Sequence, residues 1–301
     1  MRIVIALGGN ALLKRGEPLS AENQRRNMRA AADALAHACD GHEVIIVHGN
    51  GPQVGLLALE ADAYKALPPY PLDVLGAESQ GMIGYVIAQE LRNANPARPV
   101  VALITQTIVD PSDPAFGRPT KPIGPVYDPQ EVESLRVQHG WTFVPDGTSM
   151  RRVVPSPTPI EIIELPIIDR LTASGVLVVC AGGGGVPVRR DSGGLLSGVE
   201  AVIDKDRAAS LIAQKLNADL FAILTDVDAV YLDWGTPRQH PIGRTNPADL
   251  RHHAFADGSM GPKVEAVCAF VEKTRRPAVI GSLAMAREVL SAEAGTIISA
   301  S

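Results

Sequence analysis

Aromatic residues are scarce in this chain: Phe, Trp and Tyr make up 4% of its 301 positions. That disfavours a stacking platform for single-stranded nucleic acid. An excess of positive charge is also missing. The formal net charge is −5, which disfavours nucleic acid or an anionic membrane as a partner. No apolar run reaches the roughly 18 residues that a membrane helix needs. The apolar start, "RIVIAL", is cut short by Gly8-Gly9-Asn10, a poor match to a secretory signal. Cysteine is limited to Cys39, Cys180 and Cys268, an odd and widely spaced set. It argues for reduced thiols and a cytoplasmic home, with Cys180 and Cys268 packed among apolar neighbours. Two nucleotide motifs are absent as well. There is no G-x-x-x-x-G-K-[ST] string, which excludes a P-loop. The Gly182–Gly185 run fails as a dinucleotide fingerprint because its third glycine would fall at Pro187.

What is present alternates between short β-branched runs and helical patterns. Strands are expected at "RIVIAL" (2–7), "EVIIVH" (43–48), "RPVVALIT" (98–105), "GVLVVC" (175–180), "DLFAILT" (219–225), "PAVIG" (277–281) and "GTIIS" (295–299). A helix over 20–38 has Ser20 as its N-cap and an apolar face of Met28, Ala32, Leu35 and Cys39. Another covers 73–94, with Ile83, Val86, Ile87 and Leu91 on one side. Near-continuous apolar strands between helices indicate an α/β fold, a mostly parallel sheet covered on both faces. Right-handed crossovers then gather the loops after the strands along one edge. From 106 to 159 the rhythm breaks into a Pro- and Gly-rich stretch with one helical piece at 129–138 and a hairpin at 141–154 around Asp146-Gly147. It is expected to project from the sheet edge.

Three of the strand-end loops are glycine-rich: Gly8-Gly9-Asn10, "GNGPQVG" (49–55) and "AGGGGVPV" (181–188). Glycine lets backbone N–H groups approach an anion closely, and a following helix N-terminus adds partial positive charge. Three such loops on one edge point to a polyphosphate site. Two lysines fall in the first turns of helices. Lys205 precedes the face Ala208, Leu211, Ile212 and Leu216, and Lys263 follows Pro262, a residue suited to the first helical position. A cation there opposes the helix dipole by roughly 0.3–1 kcal/mol, so it needs either acidic neighbours such as Asp204, Asp206 and Glu265 or a bound anion. Lys121 sits in a loop stiffened by Pro119, Pro122 and Pro125. Asp206 reads equally as a helix-start carboxylate and as a holder of Lys205 and Lys263. "LTDVDAVY" (224–231) reads as a ribose site or a capped turn, and His48 as a structural hydrogen-bonder.

In chain order, "IVIALGGNALL", "HGNGPQVG", "SQGMIGY", "DPAFGRPTKPIGPVY", "RRVVPSPTP", "AGGGGVPV", "GVEAVIDKDRAA", "LTDVDAVY", "GSMGPKVEA" and "GTII" resemble the amino-acid kinase family, and within it the branch that acts on carbamate. The resemblance implies an open sheet sandwiched by helices with a protruding subdomain. It implies an N-terminal lobe, 1–214, for carbamate or carbamoyl phosphate, and a C-terminal lobe, 215–301, for ADP or ATP. The implied reaction is reversible phosphoryl transfer between carbamoyl phosphate and ADP. Mg²⁺ would ride on the nucleotide with no dedicated protein cage, and the chain would form a homodimer. Lys121, Lys205 and Lys263 match the family's phosphate lysines, and Asp206 the aspartate that organises them. Amides of Gly8, Gly9, Asn10, Gly49, Asn50 and Gly51 would cradle the substrate. Asp226, Tyr231, Met260 and Gly261 would belong to the nucleotide pocket. Relatives acting on N-acetylglutamate or aspartate carry a lysine where Ala6 stands here, so Lys121 would supply that charge from the subdomain. Rival readings are a family member acting on a larger acyl acid and a non-catalytic nucleotide sensor. A sensor would be expected to have lost one of the three lysines.

Overall fold

A computed structural model describes residues 1–9, 13, 16–256 and 259–300. The chain opens with β1 (Arg2–Leu7), then α1 (Ala21–Ala38), β2 (Glu43–His48), α2 (Gly51–Ala63), α3 (Leu72–Ala94) and β3 (Val100–Ala102). Ser20 caps α1 by accepting from the Asn23 amide, and the four residues of its expected stripe are all buried. The middle of the chain holds β4 (Gln106–Val109), β5 (Lys121–Tyr127), α4 (Pro129–His139), β6 (Thr142–Asp146), β7 (Ser149–Val154), β8 (Pro159–Ile162), α5 (Leu165–Ala173) and β9 (Leu177–Cys180). Then come β10 (Val186–Arg190), β11 (Leu196–Gly198), α6 (Lys205–Lys215), β12 (Leu220–Thr225), β13 (Val230–Leu232), β14 (His240–Ile242) and β15 (Arg244–Thr245). The chain closes with α7 (Pro247–Arg251), α8 (Met260–Thr274), β16 (Ala278–Ser282), α9 (Ala286–Leu290) and β17 (Thr296–Ile298).

The main sheet has the order β15-β17-β16-β12-β1-β2-β9-β3, and only the β16–β17 pair is antiparallel. Alternate residues of a strand face opposite sides, and β1 shows what that requires here. Ile3, Ile5 and Leu7 pack with Met28 and Leu35 of α1 and Ile83 and Ile87 of α3. Val4 and Ala6 face the other way, onto Ile212 of α6 and Val267, Phe270 and Val271 of α8. Both faces are therefore covered, and the strands carry apolar side chains on both. Each fully buried Val, Leu, Ile, Phe or Met side chain among them contributes roughly 1.5–3 kcal/mol. Cys39, Cys180 and Cys268 are buried free thiols, and burial pushes the Cys39 thiol up to about 12.

The irregular middle resolves into two small sheets. β4 and β8 bracket it and join β10 and β11 in the order β11-β10-β4-β8. Between them β5, β7 and β6 form a separate antiparallel sheet that, with α4, makes an arm. Lys121 therefore opens a strand rather than sitting in a loop. Proline is tolerated there because β5 is an edge strand, and Pro125 lies where its register shifts, between Ile123 and Val126. The arm crosses α2 backbone to backbone. A Cβ on Gly55 would stand 2.0 Å from the Gly124 Cα, and Gly124 itself has φ +72°. Only glycine at both places allows that approach.

Candidate active site

The parallel strands end level with one another. Leu7 is in register with both His48 and Leu224, and Val47 with Cys180. The loops that follow therefore meet at one edge, as the crossover rule requires. Beside them lie the starts of α6 and α8 and the first residue of the arm. Together they enclose a cavity of about 240 Å³ lined by Gly9, Gly49, Asn50, Gly51, Lys121, Lys205, Asp206 and Lys263, among others. Asn10 lies outside the described residues. Gly8 is placed differently from the rest: its amide donates to the Leu224 carbonyl at 2.8 Å, so the sheet uses it. The unsatisfied amides at the start of α2, Gly51 among them, remain for an anion.

The three lysines converge. Lys205 donates to Asp206 Oδ1 at 2.9 Å and Lys263 to Asp206 Oδ2 at 3.0 Å. Lys121 donates to Asp204 Oδ2 at 2.5 Å, across 83 residues of sequence. Asp204 is also the N-cap of α6, its other oxygen accepting from the amides of Asp206 and Arg207. One carboxylate thus starts the helix and anchors the arm, while the next spans two helix starts. α8 begins at Met260, two residues earlier than Pro262 suggests, and Lys263 still falls near its first turn. Gly49 is where the Lys205 stem passes: a Cβ there would come within 3.3 Å of Lys205 Cδ.

Burial and pairing set the charges. Burial raises the carboxyls of Asp204 and Asp206, but the adjacent ammoniums outweigh it and hold both below the usual range. Burial pushes Lys205 down to about 8, with Asp206 pulling it back up and Lys263 adding repulsion. Burial also lowers Lys263, but Asp206 more than compensates and its pKa is raised. Three ammonium groups face two carboxylates in the cavity lining, an excess of one positive charge while Lys205 is protonated. His48 is sealed beside the site, its Nδ1 on the Gly49 carbonyl, and burial lowers it to about 4. It stays neutral and structural at neutral pH.

A second cavity of about 940 Å³ adjoins the first, sharing Ser259 and Lys263 in its lining. Asp226, Tyr231 and Met260 line it, as expected from sequence, along with Trp234, His252 and Phe255, which sequence reasoning missed. The Tyr231 and Trp234 rings meet at 5.3 Å between centroids. Gly261 instead lies in the first turn of α8, its amide on the Ala256 carbonyl at 3.0 Å. Ser259, the N-cap of α8, makes no side-chain capping bond, so that helix end opens towards the junction of the two cavities. Among the described residues no three acidic, His or Cys side chains form a metal cluster.

A donor-rich small chamber joined to a larger aromatic-edged one, on the carboxyl edge of a parallel sheet, is what a phosphoryl-transfer enzyme of this fold needs. The family comparison agrees: the amino acid kinase family model matches residues 1–282, and the chain belongs to that family. Within the family it is similar to carbamate kinases. It is 53% identical over 299 residues to the carbamate kinase of Haemophilus influenzae, covering 99% of this chain and 96% of that one. It is 54% identical over 297 residues to the carbamate kinase of Escherichia coli, covering 99% of each. Among solved structures, the carbamate kinase from Giardia lamblia bound to AMP-PNP superposes with a TM-score of 0.90 at 40% identity, over 99% of this chain and 98% of that one.

Proposed function

We propose that this chain is an ATP:carbamate phosphotransferase, moving a phosphoryl group reversibly between carbamoyl phosphate and ADP. The observation that carries the reading is the meeting of Lys121, Lys205 and Lys263 at a small cavity beside a larger one. Carbamate is already an anion, so its oxygen needs no general base, and the neutral, sealed His48 is consistent with that. Catalysis then reduces to alignment and charge neutralisation. In this reading Lys205 and Lys263, held on Asp206, meet the migrating group from the nucleotide side. Lys121 meets it from the carbamate side. Amides at Gly9, Gly49 and Gly51 cradle oxygens of the substrate. We assign residues 1–214 chiefly to the carbamate side and 215–301 to the nucleotide. Asp226, Tyr231 and Met260 would sit beside the nucleoside. The chamber carboxylates are engaged by ammonium and amide groups, so Mg²⁺ would be carried on the nucleotide phosphates and water, screening their charge as they approach.

The test is a coupled assay: purified protein given carbamoyl phosphate, ADP and Mg²⁺ should form ATP. Failure to do so, with folded protein, ends this reading. The same preparation should elute as a dimer from a sizing column. The face offered for pairing is α3 around Gly81, where Met82 and Tyr85 are 38% and 53% exposed. No described helix is long and apolar enough to cross a membrane, in keeping with the cytoplasmic assignment we propose.

The Lys205 shift gives a pH signature. Its value in the empty site is about 8, below the ordinary 10.5. An entering phosphate stabilises the ammonium and lifts the value, so ADP binding at pH 8 should take up a fraction of a proton. Affinity and kcat/KM should fall as pH rises through about 8. For folding the sign is opposite. Charging Lys205 costs the empty protein stability below about 8, and that cost fades as pH rises from there towards 10.5. Calorimetric titration at pH 8 in two buffers of different ionisation enthalpy reads the uptake; identical heats would refute it.

A further inference from the structure

We infer that Ser79 sets the orientation of the Asn50 side-chain amide, so that the amide oxygen faces the substrate and accepts a hydrogen bond from the carbamoyl amino group. The inference rests on the function proposed above and names what selects the substrate there. Ser79 lies on α3 and is fully buried. Its hydroxyl donates to the Gly76 carbonyl at 2.7 Å. A hydroxyl has one proton to give, and with that spent its oxygen can only accept. Asn50 Nδ2 stands 2.8 Å away and must be the donor. The two ends of an amide are told apart by such a network, and here it leaves one answer.

The oxygen is the end left over. Asn50 is only 4% exposed, yet no hydrogen bond to its Oδ1 is made by the described residues. Among those residues the sealed side-chain polar atoms without partners are His42 Nδ1 and Arg152 Nε, so Asn50 Oδ1 is not sealed. Asn50 lines the small cavity, and we assign its unpartnered Oδ1 to that space. The amide cannot easily tilt away, because its plane lies against Gly183. A Cβ on Gly183 would stand 2.2 Å from the amide carbon, nitrogen and oxygen alike.

A bare carbonyl oxygen is out of place in a chamber built for anions. Lys121, Lys205 and Lys263 all donate, whereas phosphate and carboxylate groups offer only acceptors and are repelled by Oδ1. A group that donates resolves the conflict, and the carbamoyl NH₂ does so. Acetyl phosphate has a methyl of similar size there and cannot donate. A site that hydrogen-bonds a substrate N–H rejects the analogue lacking it far more strongly than a purely apolar pocket could. Ser79 touches no substrate; it is a positioning residue.

The experiment measures ATP formation from ADP and Mg²⁺ with carbamoyl phosphate or acetyl phosphate as donor. For the unaltered protein the kcat/KM ratio should favour carbamoyl phosphate by at least about 100-fold. In Ser79→Ala the amide is free to turn. The ratio should fall at least tenfold, mainly through a higher KM for carbamoyl phosphate, with ADP affinity unchanged. Equal use of both donors by the unaltered protein overturns the inference without any variant. So does a folded Ser79→Ala protein whose ratio is unchanged. An unaltered protein that makes ATP from neither donor overturns the proposed reaction itself, and is distinct from both.

Discussion

Lys121→Ala will lower turnover by about 10²–10⁴ while leaving ADP affinity essentially unchanged. The magnitude is what one preorganised donor or cationic finger supplies to a developing charge. The selectivity follows from placement. Lys121 comes from the arm and lines the small cavity, but not the large aromatic-edged one. Its loss frees one oxygen of Asp204, which keeps its two helix amides, so α6 retains its cap and the protein should fold. Steady-state kinetics with a parallel ADP titration decides the matter. Turnover and ADP affinity falling together would show that Lys121 serves the nucleotide instead.

Asp206→Asn will be the most destabilising of the site substitutions, by about 3–5 kcal/mol, the usual penalty for leaving a buried charge unpaired. Asp206 is 2% exposed and gives one oxygen to each of two ammoniums. An asparagine keeps the shape, offers one acceptor, and places an amide nitrogen against the second lysine. Two neighbouring ammoniums then repel without a counter-charge. The loss should shrink when pyrophosphate is added, because the anion restores part of what the carboxylate supplied. Turnover should fall at least 100-fold. Chemical denaturation with and without pyrophosphate reads the stability. A variant as stable as the parent would mean that the lysines do not depend on Asp206.

The elements that sequence reasoning found were those whose local signals agree. α1 has a serine cap and a spaced apolar stripe, and β1, β2, β9 and β12 are dense β-branched runs. α2 went unread because its start, "GPQVG", looks like a turn, although proline near a helix start is favoured. The expected strand at 98–105 shrank to Val100–Ala102 because it is the outer strand of the sheet, paired on one side only. Lys205 and Lys263 were visible because helix starts are visible. Trp234, His252 and Phe255 were not. They lie on turns and irregular stretches that reach the large cavity only once the chain folds back, and nothing local marks them. Ser79 was hidden for a related reason: α3 reads as a helix with one apolar face, and a buried serine on it declares its purpose only beside Asn50.

The contact between Gly55 and Gly124 has a mechanical meaning. Two backbones this close with no side chains between them leave little room for sliding, so an excursion of the arm would have to swing about that point. Lys121 sits three residues from the fulcrum, whereas the turn at Gly147 lies at the far end of the lever. A wide sweep at the tip would therefore translate into only a short travel of the ammonium group held on Asp204.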